Sequence, residues 1–149
     1  MSGTVLLARP HPFIVTAMGP FLRERGLTPV KPEGPERLAD QARNAIGVVI
    51  SMAVTSDMPL DPAGVLERVR AGNAAVPVLF AALLDFAHVE RNVLHLLEQQ
   101  HPDARVYGVH SDSGAPLGRP SSGLYLSRAD LEDAGKRATA ARMIDRHFL

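Results

Sequence analysis

Polar side chains that could do chemistry stand just past the short apolar runs of this chain. Arg9, Pro10 and His11 follow the run at 5–8, Ser51 follows 46–50, His110 follows 106–109, and Ser127 and Arg128 follow 124–126; the run at 76–82 ends in alanines. In an open α/β sheet, ligands bind outside the carboxyl ends of the strands, so these positions are the first to weigh. A magnesium ion there would need hard, anionic oxygens, and the loop after the first run offers a guanidinium and an imide. Two loops hold the remaining candidates: 51–61, with Ser51, Thr55, Asp57 and Asp61, and 110–123, with His110, Asp112 and Ser113. Zinc fares no better. His88 and His95 share a helix face but lie about 10 Å apart by helical rise, too far for one ion with ligands at about 2 Å. Cysteine is absent, so thiolate ligands and disulfides are excluded. No metal and no cofactor is expected, and all six histidines read as solvated surface groups.

What must position these groups is an alternation of strands and helices. Each apolar run is about the length of a strand, and several are continuously apolar, as in a sheet covered on both faces. Phe13, Ile14, Ala17, Met18, Phe21 and Leu22 mark one face of a first helix, which Gly19-Pro20 should kink or delay. Gly26 closes it ahead of a short strand at 28–30, and a weakly patterned helix follows at 35–45. Asp61 caps a third helix, with Pro62 in its first turn, Val65, Leu66 and Val69 as its stripe, and Gly72 as its end. A fourth runs from about Asp85 to Gln100. The last starts at Ser127, with Asp130 placed as in a capping box, and its expected stripe is Leu131, Ala134, Ala138, Ala141, Ile144 and Phe148. Such alternation implies a parallel sheet with right-handed crossovers. The Gly/Pro/Ser stretch 111–123 is a loop, long for a compact domain.

The opening segment Val5-Leu6-Leu7-Ala8-Arg9-Pro10-His11-Pro12-Phe13, with the succession of elements behind it, resembles the receiver domain of response regulators. The resemblance implies an α/β, flavodoxin-like (CheY-like) fold: a doubly wound parallel sheet in three layers, one domain over residues 1–149. In that family an acidic pair follows strand 1, a phosphoacceptor Asp ends strand 3, a Ser or Thr ends strand 4, and Lys-Pro follows strand 5. The carboxylates hold Mg²⁺, the Asp attacks, and the hydroxyl and lysine stabilise charge on the phosphoryl oxygens. Here Arg9 and Pro10 stand at the acidic pair. The acceptor position falls on Ser51, or on Thr55 when counted back from Met58-Pro59. The hydroxyl position falls on Ala82 or Ala81, and the lysine position on Ser127-Arg128 or His110, depending on which late strand is the fifth. Every chemical position has lost its group, as in the family's pseudo-receivers. The run at 106–109 is an extra strand before the last helix, for which a plain receiver has no place.

Ser111-Asp112-Ser113-Gly114-Ala115-Pro116-Leu117 also resembles the nucleophile segment of chymotrypsin-like proteases, with Ser113 at the serine position. Those enzymes need two β-barrels to assemble Ser, His and Asp, whereas this chain alternates helix and strand. Gly114 and Gly118 make no phosphate cradle, since no Gly-Lys-Ser/Thr follows. Sixteen basic residues balance sixteen acidic ones, which leaves no net field for nucleic acid or anionic membrane. No secretory signal or apolar span is visible. The charges of the last helix read as a solvated face.

The function expected is a non-enzymatic, pseudo-receiver signalling module of the bacterial cytoplasm, acting through protein–protein contacts. The chain ends at Leu149, after the last helix, so no output domain is expected and partners must be met by contact. A homodimer through the last two helices is expected as well, with Tyr125, His88 and Arg91 at its edges. The competing reading is a small α/β enzyme or ligand-binding domain whose site lies between the loops 51–61 and 110–123 and uses His110, Asp112 or Ser113.

Overall fold

Continuously apolar strands demand cover on both faces, and the chain supplies it. The computed structural model describes residues 3–54, 56–110 and 115–149; the expectations placed on Thr55, Asp112 and Ser113 lie outside them. Within the described residues, β1 (Thr4–Arg9), β2 (Thr28–Val30), β3 (Gly47–Ser51), β4 (Val78–Ala82), β5 (Arg105–Gly108) and β6 (Ser122–Ser127) form one sheet. All neighbours pair in parallel, in the order β2-β1-β3-β4-β6-β5. The helices are α1 (Gly19–Glu24), α2 (Leu38–Arg43), α3 (Pro62–Gly72), α4 (Phe86–Glu98), α5 (Ala129–Glu132) and α6 (Ala134–Phe148).

The strands feed two cores by simple alternation. Leu6, Val48, Ile50, Val78, Phe80 and Tyr125 pack under α2, α3 and α4. Val5, Leu7, Val49, Leu79, Leu124 and Leu126 pack under α1 and α6. Each fully buried Leu, Ile or Phe taken from water contributes roughly 1.5–3 kcal/mol, which is why the apolar runs fix the sheet. The architecture is the doubly wound, flavodoxin-like one. Among the described residues no helix is long and apolar enough to cross a membrane.

The extra strand is real, and its place is the edge. β6 is buried at all six positions, whereas β5 is half exposed. A strand apolar on both faces belongs inside the sheet, so β6 pairs with β4 and β5 flanks it from outside.

Gly19-Pro20 distorts the first helical stretch without delaying it, since the chain is helical from Pro12 and runs on into α1. A π-turn at Ile14–Met18 precedes it, closed by the Gly19 N–H donating to the Ile14 carbonyl. Proline has no N–H and crowds the carbonyl four residues back, and the wider turn absorbs both defects.

The last helix departs from expectation. Asp133 is extended, and its side chain accepts from the Lys136 N–H to cap α6 afresh. That restart shifts the helical phase, so the expected stripe holds only in part: Leu131, Ile144 and Phe148 are buried as expected. Ala134 and Ala138 are exposed, and the buried side is Ala140, Met143, Ile144, His147 and Phe148. His147 therefore is no surface histidine. Its ring lies 2.9 Å from the Val78 carbonyl oxygen, and Nδ1 accepts from the Gly118 N–H at 3.1 Å. Asp130 and Tyr125 are buried too, which removes the first from the solvated charged face and the second from the edge of an interface.

At the same amino-terminal edge of the sheet, Arg70 donates to the carbonyls of Val76 and Pro120, and Arg146 to that of Ala115. With His147 they fasten the segment that returns the chain from β5 to β6.

Candidate functional site

β1 and β3 run in register through Leu7 and Val49, but the next pair is Arg9 with Ile50. The strand has gained one residue, a bulge, and bulges re-aim side chains. Here Arg9 is turned over the end of β3 into the loop ahead of α3. It is 4% exposed, so its donors must find acceptors within the protein. Nη1 donates to Ser51 O at 2.8 Å and Ala53 O at 2.6 Å, Nε to Leu60 O at 3.0 Å, and Nη2 to Val54 O at 3.3 Å. Burial lowers the Arg9 pKa from its ordinary value, and the charge of Asp61 pulls it back up.

The rest of the loop is tied in the same manner. Ser51 Oγ accepts from the Ala53 N–H at 3.0 Å, and Ser56 Oγ donates to Pro10 O at 2.5 Å. Asp61 accepts from the Gly64 N–H at 2.8 Å, the cap read from the sequence. A hydrogen bond to a charged group is worth roughly 1.5–3 kcal/mol, and fixing one loop residue costs about 1–2 kcal/mol. The four Arg9 bonds are therefore of the size needed to hold this loop in one conformation.

The structure brings Arg9, Pro10 and Ser51 together at the carboxyl edge. Ala82 ends β4 beside Ser127, and its carbonyl accepts from the Arg128 N–H at 3.2 Å. The Arg128 side chain is exposed and faces Glu132 at 3.6 Å. Because β6 neighbours β4, Ser127-Arg128 and not His110 follows the fifth strand position. The available chemistry around Arg9 is that of carbonyl and hydroxyl dipoles around a fixed cation.

His110 belongs to a second group. Its Nε2 lies 2.8 Å from Asp130 Oδ1. Asp130 Oδ2 accepts from both the N–H and the Oγ of Ser127, at 2.8 and 3.0 Å. The carboxylate stands between the other two, so His110 does not activate the serine. The Tyr125 hydroxyl donates to Leu84 O at 2.5 Å, with the Phe86 ring 5.6 Å from its own. Burial, then the charges of Asp130 and Asp85, raise the Tyr125 pKa. These groups line a notch that takes none of its walls from the 51–61 loop. Of this cluster the sequence signalled His110 as a candidate site residue and Ser127-x-x-Asp130 as a capping box, whose reach-back to the Ser127 N–H is present. Nothing local marks His110 as its partner.

No protein-family profile matches this chain, and no curated protein matches it. Solved structures do. The receiver domain of a sensor histidine kinase from Pseudomonas aeruginosa PAO1, with magnesium coordinated in its active site cleft, aligns over 97% of this chain and 99% of its own, at 16% identity and a TM-score of 0.54. A response regulator receiver protein from Sinorhizobium medicae WSM419 aligns over 95% of each chain, at 14% identity and a TM-score of 0.50. At these identities the likeness is one of fold: the chain is built as a receiver domain is built.

Proposed function

We propose that the protein is a receiver-like signalling module of the bacterial cytoplasm that does not accept phosphate and works by contact with protein partners, without catalysis of its own. The observation that carries this is Arg9. On the receiver pattern, a metal and an acceptor carboxylate would stand where its guanidinium lies against Ser51, Ala53, Val54 and Leu60. A fixed cation there repels Mg²⁺, and neither Arg9, Pro10 nor Ser51 offers an attacking carboxylate.

Contact as the mode of action is supported by what the carboxyl edge displays. Val54 is 96% exposed, Leu83 48% and Leu84 56%, on loops that follow the adjacent strands β3 and β4. Exposed apolar groups gathered on one edge suit a protein surface. A homodimer through the last two helices belongs to the same reading; its surface would be the outer side of α6, around Ala134, Ala138 and Arg142.

Intact-mass measurement after incubation with acetyl phosphate and Mg²⁺ tests the first half, with no phosphoryl adduct expected; an adduct overturns it. Photo-crosslinking in cells tests the second. Probes at Leu83 and Leu84 should capture the same protein, and a probe at exposed Glu67 should not. Equal capture at all three positions would remove the support for this edge as a docking surface.

A further inference from the structure

A cavity of about 580 Å³ opens at the carboxyl edge, on the face covered by α1 and α6, where the segments after β1, β4 and β6 meet. That volume is of the size that takes a small ligand. Its floor is Phe13 and Leu131, core side chains whose tips reach the surface. Pro12, Pro20 and Leu83 stand around them as exposed apolar walls. None of the lining comes from Arg9 or the loop it holds.

We propose that this cavity binds a small monocarboxylate with an apolar body, the body on Phe13 and Leu131 and the carboxylate at the rim, toward His11 and Arg128. What selects an anion is the donors that the protein itself leaves uncommitted. Nδ1 of His11 accepts from the Phe13 N–H at 3.2 Å. A ring nitrogen that accepts carries no proton, so the ring donates through Nε2. Arg128 is exposed, and its guanidinium makes no hydrogen bond among the described residues; Glu132 Oε1 lies 3.6 Å from its Nε, beyond hydrogen-bonding reach. Both groups are reached from solvent, so a guest displaces water there and breaks no internal bond.

The charge around the rim agrees. Arg137 adds a third cation, held in place by Glu24 and lying over the Phe21 ring at 4.9 Å. Among the described lining residues Glu132 is the only acid. An apolar floor with donors at its rim suits an amphipathic anion. An alcohol of the same body keeps the apolar contact and loses the charge-assisted bonds, and an amine meets Arg128 as a like charge. The cavity shares Leu83 with the proposed docking edge but neither Val54 nor Leu84, so ligand binding and partner capture can fail separately.

The test is titration of the protein with octanoate, 1-octanol and octylamine, followed by NMR through the Phe13 ring and the methyl groups of Leu83 and Leu131. Octanoate is expected to shift these resonances, 1-octanol to bind about fivefold more weakly, and octylamine more weakly still. Arg128→Gln, at an exposed position, should weaken octanoate about fivefold and leave 1-octanol unchanged. Glu132→Gln removes the carboxylate that competes for Arg128 and should tighten octanoate about threefold. The proposal is overturned if 1-octanol or octylamine binds as tightly as octanoate, if Arg128→Gln changes nothing, if octanoate shifts other regions and not these, or if no probe shifts them by about 10 mM.

Discussion

The ring of His147 lies 2.9 Å from the carbonyl oxygen of Val78, a bond that ties the last turn of α6 to the first residue of β4. Because Nδ1 accepts from Gly118, the neutral tautomer with its proton on Nε2 satisfies both nitrogens.

Acid should therefore cost stability through this residue. Burial lowers its pKa to about 4, the Val78 bond pulls the other way, and the charge of Arg70 lowers it again. The unfolded chain takes up a proton near pH 6.5 that the folded chain refuses until about pH 4. The stabilisation is full above the upper value, falls as pH drops through the window, and amounts to about 3 kcal/mol in all. Urea midpoints at pH 7 and pH 4.5 measure it. His147→Gln should be weaker than the natural protein at pH 7 and lose less between the two; an equal loss in both would clear His147 of the effect.

Replacing Arg9 with Met should free the loop ahead of α3. The four carbonyls it bonds would have to find water, at a cost of about 2 kcal/mol. Amide exchange over residues 52–60 should quicken while α4 keeps its protection. Unchanged exchange in the loop would mean that Ser51 and Ser56 hold it without the guanidinium.

Gly72 admits no side chain. A Cβ there would meet the Ala39 carbonyl oxygen at 1.9 Å, so α2 and α3 approach this closely only with glycine. Gly72→Ala should lower stability by about 2 kcal/mol or more by calorimetry. Ala39→Gly should not rescue it, since the obstacle is backbone.

Removing the cap of α3 is a milder change. Asp61→Ala should cost about 1 kcal/mol, with Asp61→Asn close to neutral, as read by denaturant midpoints. A larger loss in both would show that the carboxylate charge facing Arg9 matters more than the cap.

Much of the fold was legible because its causes are local. Continuous apolar runs require cover on both faces, which made 46–50 and 76–82 interior strands of a parallel sheet, and Asp61-Pro62 marks a helix start by backbone geometry alone. That Arg9, Pro10 and Ser51 carry no carboxylate is likewise read directly from residue types. What the tertiary structure decided depends on partners remote in the chain. Strand order placed 106–109 at the edge, because the choice of neighbour for β4 turns on which later strand is buried on both faces. The bulge after Leu7 aimed Arg9 at carbonyls more than forty residues away, a contact no local pattern encodes. One extended residue, Asp133, shifted the phase of the last helix and carried His147 into the core, where burial made a titratable surface residue a neutral structural one. His110 and Asp130, twenty positions apart, meet only because β5 and β6 lie side by side; sequence fixes what each side chain can do, and the packing of distant elements fixes what it faces.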